Sequence, residues 1–398
     1  MPAEQTPARI RTPLAVARLL LIWLAIILLG LELGLRAAGF SFYWAFTRYP
    51  DEYRGVAILP GTQARQDLEG HAWIRINRYG FRDRDWPEKP AGTWRIAVLG
   101  DSFTAAVQVP LEQTWWQQVM SRLNDCGYRD RPVEILNFAV SGYGTAQQLE
   151  TLRHHVAQHT PDEIWLTFFP GNDITDNHPE LNDDPLRPYL RPVGDAWQMD
   201  YGFRELPEYR SKNAWWGHVY YTYLIHARVV QGLALVRSFI KQGIRFHSAD
   251  RMWEWEPGVD ARVYAPPVEP AWQEAWEATR RLLQMVRNEA ASLDTELRVL
   301  GLSTGAQLYT SDERIDMLLE RLGVPDPFYP NWQLARFAAQ DGYDYIDLAR
   351  PLAERAGHDG TVFHGFGDAD GMGHWNADGH AAAADLLATA LCDGSTRQ

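Results

Sequence analysis

From residue 95 onward, short apolar runs alternate with stretches of helical spacing. The runs at 95–99, 133–140, 163–169, 296–302 and 343–348 have strand length and read as buried strands. Between and after them, 112–125, 145–158, 270–292, 331–340 and 377–391 read as helices. In the third of these, Trp272, Trp276, Thr279, Leu283, Val286 and Ala290 recur three and four residues apart, a core-facing stripe. Strands and helices in strict alternation predict an α/β fold with a parallel sheet covered on both faces.

Three segments break this rhythm. Residues 1–40 carry an apolar run, and 14–35 is long enough to span a bilayer if Arg18 and Glu32 snorkel at its ends. Arg9, Arg11 and Arg18 stand before the run, while Glu32 and Arg36 nearly cancel behind it. The positive-inside rule then leaves the N-terminus in the cytoplasm and the rest of the chain outside. A cleaved signal peptide is the rival reading, but Arg36-Ala37-Ala38 puts an arginine where a small residue is wanted. Residues 41–94 read as an irregular lead-in to a domain at 95–398. Inside that domain an insertion at about 178–267 begins rich in proline and aspartate. It continues as an amphipathic helix marked by Tyr221, Ile225, Val229, Leu233, Val236 and Ile240. An interruption this long is a functional lid or a subdomain.

A composition of 46% apolar and 22% charged residues allows a full core, and the net charge of -13 argues against nucleic acid or an anionic lipid surface as main partner. Cys126 and Cys392 are too few for a disulfide framework and say nothing about compartment. The seventeen tryptophans are either core or sugar-stacking surface.

Candidate chemistry gathers where strands end, the edge of an open α/β sheet at which ligands bind. The first strand stops at Gly100-Asp101-Ser102, so the Ser102 hydroxyl is a candidate nucleophile rather than only a turn or cap serine. The second ends at Ser141-Gly142-Tyr143, where Gly142 can aim a backbone N–H at a ligand or serve a tight turn. The third ends at Gly171-Asn172-Asp173, where Asn172 is an amide donor or a turn residue. Before the last helix, Asp370-Gly371-Met372-Gly373-His374 offers an imidazole near a carboxylate. His380 opens that helix and reads as a packing or capping group. His154, His155 and His159 read as a solvated helix face and not a metal site, since no acidic or cysteine partner completes a set.

Gly100-Asp101-Ser102-Phe103, Gly142, Gly171-Asn172-Asp173 and the late Asp/His pair resemble, in order, the four blocks of the SGNH (GDSL-type) hydrolases, over residues 95–391. The resemblance implies a flavodoxin-like three-layer α/β/α fold with a five-stranded parallel sheet. It implies Ser102 as nucleophile, His374 as base and a nearby aspartate orienting the imidazole. Ser102 N–H, Gly142 N–H and the Asn172 side chain would form the oxyanion hole, and neither a metal nor an organic cofactor belongs to this chemistry. One departure concerns the acid. The family spaces its last Asp and His three apart, whereas Asp370 precedes His374 by four; Asp368 or a backbone carbonyl are the alternatives.

A competing motif, Gly301-Leu302-Ser303-Thr304-Gly305, fits the G-x-S-x-G elbow, with Asp347 and His374 completing a Ser, Asp, His order. Residues 306–311 read as loop where an elbow needs a helix, which counts against it. The expected protein is therefore a membrane-anchored extracytoplasmic serine esterase. It would cleave or transfer a small acyl group, acetyl, on a carbohydrate-type ester. Its partners would be a small-molecule or polysaccharide ester and, through the N-terminal helix, the lipid bilayer, with no nucleic acid. The rival from another class is a catalytically silent glycan-binding module on the same fold.

Overall fold

The structure is a computed structural model that describes residues 13–40, 48–67, 69–194, 196–245, 256, 258–309, 313–367 and 371–394. Two compact units divide the chain: Met1–Phe42 with Trp215–Ser248, and Tyr43–Ala214 with Ala249–Gln398.

The larger unit is built on a five-stranded sheet whose strands are numbered here within that sheet: β1 (Trp94–Leu99), β2 (Val133–Asn137), β3 (Glu163–Phe168), β4 (Glu296–Gly301) and β5 (Asp344–Asp347). Every pairing is parallel, and the spatial order is β5-β4-β3-β1-β2. β3 is buried along its whole length and β1 from Arg95 on, because helices cover both faces. Trp115–Asp125 packs against Ala377–Cys392, and Thr145–Thr151 against Pro270–Ser292. In the latter helix Trp272, Trp276, Thr279, Leu283, Val286 and Ala290 are all buried, the stripe its spacing predicts. This is the expected α/β architecture, with its strand order reversing at β1.

Several boundaries differ from the sequence pattern for local reasons. The helix expected from 112 breaks at Thr114, whose backbone is extended and whose hydroxyl donates to Leu111 O at 2.7 Å. The helix expected over 145–158 is regular only to Thr151, then widens into a π turn (Leu152–Val156) and tightens again (Ala157–His159). The helix expected over 221–240 is two, Trp215–Thr222 and Arg228–Arg245, separated by a turn at Leu224–His226. Glycine 305 opens one helical turn, Gly305–Leu308, where loop was expected.

Two side-chain readings need correction. His155 and His159 do not form a solvated face; their rings lie against Phe81, Trp86 and Phe138, and burial pulls His155 down to about 4. Cys126 and Cys392, separated by 266 residues, form a disulfide across the ends of two packed helices.

The 48–94 segment is more ordered than a lead-in. It forms two antiparallel hairpins, Arg48–Asp51 with Gly55–Ile58 and Gln63–Gln66 with Ala72–Arg75. Asn77 Oδ1 then accepts the N–H groups of Tyr79 and Phe81, each at 3.0 Å, folding a tight turn that delivers buried Arg82. Arg82 donates to the carbonyls of Ala105, Ala106 and Val109, just past Ser102.

Candidate active site

The nucleophile turn is fixed from several sides. Gly100 has no room for a side chain, since a Cβ there would lie 2.0 Å from Thr167 Oγ1 on β3. Asp101 caps the one-turn helix Ser102–Ala105 by accepting Phe103 N–H at 3.0 Å, and Arg82 holds its last carbonyls. Ser102 therefore stands half-buried at the carboxyl end of β1. His374 Nε2 lies 2.8 Å from Ser102 Oγ, within hydrogen-bond reach. Phe103 stacks on Phe169 with centroids 4.0 Å apart and lies 4.9 Å from the His374 ring, walling one side.

The other ring nitrogen meets a residue that no motif points to. Glu69, on the connection between the strands Gln63–Gln66 and Ala72–Arg75, places Oε2 2.8 Å and Oε1 2.9 Å from His374 Nδ1. Its Oε1 also accepts His374 N–H at 3.2 Å, and its Oε2 accepts from Gln108 Nε2 at 3.2 Å. Burial pushes the Glu69 carboxyl up, but the His374 hydrogen bonds and charge outweigh it and hold the group below the usual carboxylate range. Asp370 and Asp368 lie outside the described residues. No sequence signal marks Glu69, because its link to His374 exists only through space.

The loop that carries His374 is braced from beneath. Gly365 N–H donates to His374 O at 2.8 Å, and Asn376 caps the last helix through Gly379 N–H. Glu256, from the insertion, accepts Gly373 N–H on one oxygen and Gly305 N–H on the other, at 2.9 and 2.8 Å. Burial drives its carboxyl up to about 7.

Ser102, Gly142 and Asn172 follow three neighbouring strands, β1, β2 and β3, with Ser102 in the middle. Gly142 has φ +81°, a left-handed backbone that favours glycine, and lies against the end of the Arg48 side chain. Asn172 sits in a turn where its carbonyl accepts Asp176 N–H at 2.7 Å and the Thr175 hydroxyl at 2.9 Å. The backbone N–H groups of Ser102 and Gly142 donate to no other described group. Behind this turn Asp101, Asp173 and Asp176 are all buried, with Arg187 3.1 Å from Asp176. Burial raises Asp101 to about 6, and burial together with the Asp101 and Asp176 charges raises Asp173 well above an ordinary carboxyl.

The elbow motif does other work. Ser303 is fully buried at the end of β4; its Oγ accepts Trp375 Nε1–H at 2.9 Å and lies 3.0 Å from His364 Nε2. His364 Nδ1 is 2.6 Å from Gly373 O, and burial pulls this imidazole down to about 4, so it is neutral and donates from Nδ1. Asp347 accepts from Asn331 Nδ2 and Ala349 N–H instead of meeting His374. His380, also buried, accepts Trp115 N–H at 3.3 Å, a packing and capping role. Among the described residues no set of three His, Cys, Asp or Glu is arranged to hold a metal.

A serine–imidazole–carboxylate line stands at the strand ends, and Gly142 and Asn172 follow the two neighbouring strands. The five-stranded parallel sheet with helices on both faces is the α/β fold that the resemblance to the SGNH (GDSL-type) hydrolases implies. No family model matches the chain. An arylesterase of Vibrio mimicus is 32% identical over 91 residues, covering 21% of this chain and 44% of that protein, so the chain spans less than half of this curated relative. Among solved structures, an acetylxylan esterase from Geobacillus stearothermophilus is 10% identical over 77% of this chain and 96% of its own, with a TM-score of 0.38. The lipase/acylhydrolase from Enterococcus faecalis is 13% identical over 77% and 99%, with a TM-score of 0.35. Relative to the SGNH pattern, this chain draws its imidazole-facing carboxylate from the segment ahead of the sheet.

Proposed function

We propose that this chain is a membrane-anchored serine esterase working outside the cytoplasmic membrane through an acyl-enzyme on Ser102. The observation that carries the reading is the 2.8 Å approach of His374 Nε2 to Ser102 Oγ with Glu69 on the opposite ring nitrogen. Glu69 fixes the proton on Nδ1, which leaves Nε2 free to take the Ser102 proton as the oxygen attacks an ester carbonyl. The N–H groups of Ser102 and Gly142 and the Asn172 amide receive the negative charge that develops on the carbonyl oxygen. His374 then returns the proton to the leaving alcohol. Water, or a second alcohol, attacks the acyl-enzyme by the same route in reverse, giving hydrolysis or acyl transfer.

The anchor reading rests on Pro13–Ala37, a 25-residue helix with a mean hydropathy of 2.6 over its most apolar window and none of its residues buried. At ~1.5 Å per residue it is about 37 Å long, against roughly 30 Å of hydrocarbon. The arginines ahead of it favour an external catalytic domain, and the Cys126–Cys392 disulfide suits an oxidising compartment. A carbohydrate-type acetyl ester is the substrate class we favour, on the ground that exposed Trp73 and Trp332 suit sugar faces.

The test is to incubate the full chain with an aryl acetate and with a fluorophosphonate probe, as wild type, Ser102→Ala and Ser303→Ala. Turnover and labelling are expected in the wild type and in Ser303→Ala and lost in Ser102→Ala. Labelling lost only in Ser303→Ala would move the nucleophile to the elbow. A wild type that is neither labelled nor active, yet binds polysaccharide, would make the chain a silent binding module.

A further inference from the structure

The smaller unit holds an apolar face that the proposed span does not account for. In it the Pro13–Ala37 helix packs against Arg228–Arg245, and two hydrogen bonds tie the start of the second helix and the turn before it to the end of the first. Glu32 Oε2 accepts Val229 N–H at 3.0 Å, and Arg36 Nη2 donates to His226 O at 3.2 Å. Glu32 lies about 29 Å along the axis from Pro13 at ~1.5 Å per residue, which is where a hydrocarbon layer of roughly 30 Å ends. The first turn of the Arg228–Arg245 helix is thereby held at the level where the span leaves the lipid.

The residues around that junction are those an interface selects. In the sequence just before the junction, Trp215, Trp216 and Tyr223 are 71%, 54% and 70% exposed, ring types enriched at headgroup depth. On the Arg228–Arg245 helix, buried Gln231 donates to Ile225 O at 3.0 Å and marks the side turned toward the preceding turn. The opposite side carries Leu233 and Val236, 67% and 57% exposed, so the apolar stripe faces outward rather than into a core. The sequence of this helix, RVVQGLALVRSFIKQGIR, holds arginines and a lysine but no acidic residue, in a chain whose net charge is -13. A basic amphipathic helix with large rings beside it lies along a lipid surface.

We infer that residues 215–245 form an interfacial module, laid on the headgroup and upper acyl region of the outer face of the membrane beside the span. The inference rests on the reading of Pro13–Ala37 as a membrane span. The occupant of the Leu233/Val236 face is lipid. Its basic residues would favour anionic headgroups, locally opposing the repulsion expected from the acidic chain as a whole.

The test uses the full chain in vesicles of phosphatidylethanolamine and phosphatidylglycerol. Because Cys126 and Cys392 are paired, a single added cysteine takes a nitroxide label. Labels enter at Trp23→Cys in the span, Trp216→Cys and Leu233→Cys in the module, and Met317→Cys in the larger unit. Collision with oxygen, which enriches in lipid, is compared with collision with a water-soluble nickel chelate. Expected are high oxygen and several-fold lower nickel access at 23, 216 and 233 than at 317. If 23 is in lipid while 216 and 233 match 317, the module inference is overturned and the span stands. If 23 itself meets the nickel chelate freely, the span falls and the inference with it. Shielding of 233 from both reagents with spin–spin broadening would mean a second copy covers the face, which also overturns it. Fluorophosphonate labelling of Ser102 reports folding of each variant, and Val236→Cys replaces Leu233→Cys should the latter fail to label.

Discussion

Glu69 and His374 lie 305 positions apart in the chain, and the carboxylate oxygen of one sits 2.8 Å from the Nδ1 of the other. The contact joins a hairpin turn ahead of the sheet to the loop before the final helix. It ties the segment before residue 95 directly to the imidazole proposed as the base.

Removing that carboxylate should cost turnover and spare binding. Glu69→Gln is expected to lower kcat by about 10²–10⁴-fold with little change in KM, since the imidazole loses both its fixed tautomer and its compensating charge. Asp370→Asn is expected to stay close to wild type. Steady-state kinetics on an aryl acetate check both, and the reverse ranking would return the role to Asp370.

Arg48 should act as a positioning residue for one oxyanion donor. Its Nη2 donates to Ser141 O at 3.0 Å, and its Nη1 lies 3.3 Å from Asp184. In a trans peptide the carbonyl and the following N–H point in opposite directions, so holding Ser141 O aims Gly142 N–H. Arg48→Ala is expected to lower kcat by about 10–10²-fold, less than the roughly 10²–10³ that follows loss of a whole donor. KM should hold and Arg48→Lys should recover part of the rate. A rise in KM at constant kcat would instead mean that Arg48 binds substrate.

Ser303→Ala should weaken the fold without silencing the enzyme. It strands Trp375 Nε1–H and His364 Nε2 in a buried site, a cost of about 1–3 kcal/mol per unpaired group. Chemical denaturation should show the loss, while the rate per folded molecule is retained.

His364 should contribute an acid-side loss of stability. Its folded value is pulled down to about 4, so between the unfolded value near 6.5 and pH 4 the unfolded chain binds a proton that the folded chain refuses. Stability from this group is complete above that window and falls as pH drops through it, by about 1.4 kcal/mol per pH unit. His364→Gln is expected to be less stable at neutral pH but to lose stability less steeply on acidification. Parallel pH profiles for the two proteins would refute the assignment.

Much of this molecule is legible along the chain. Apolar runs of strand length, spaced by amphipathic stretches, sufficed for a five-stranded parallel sheet, because burial on both faces leaves that pattern on any strand. Ser102, Gly142 and Asn172 could be singled out since each sits where a strand stops, and the end of a strand is itself a sequence feature. The paired cysteines, the inward-facing His155 and His159 and the hydrogen-bonded core around Ser303 could not, because nothing local distinguishes them from free thiols, a wet helix face or an elbow.

The amino-acid order thus determined the sheet, the apolar N-terminal helix and the edge at which chemistry would gather, all of which follow from periodicity and turn residues acting over a few positions. The fold alone decided which carboxylate faces His374, which serine is open to solvent, and that an amphipathic stripe at Leu233 and Val236 turns outward. Those outcomes depend on distances between segments hundreds of residues apart, and such distances are set by packing, which no short stretch of sequence encodes.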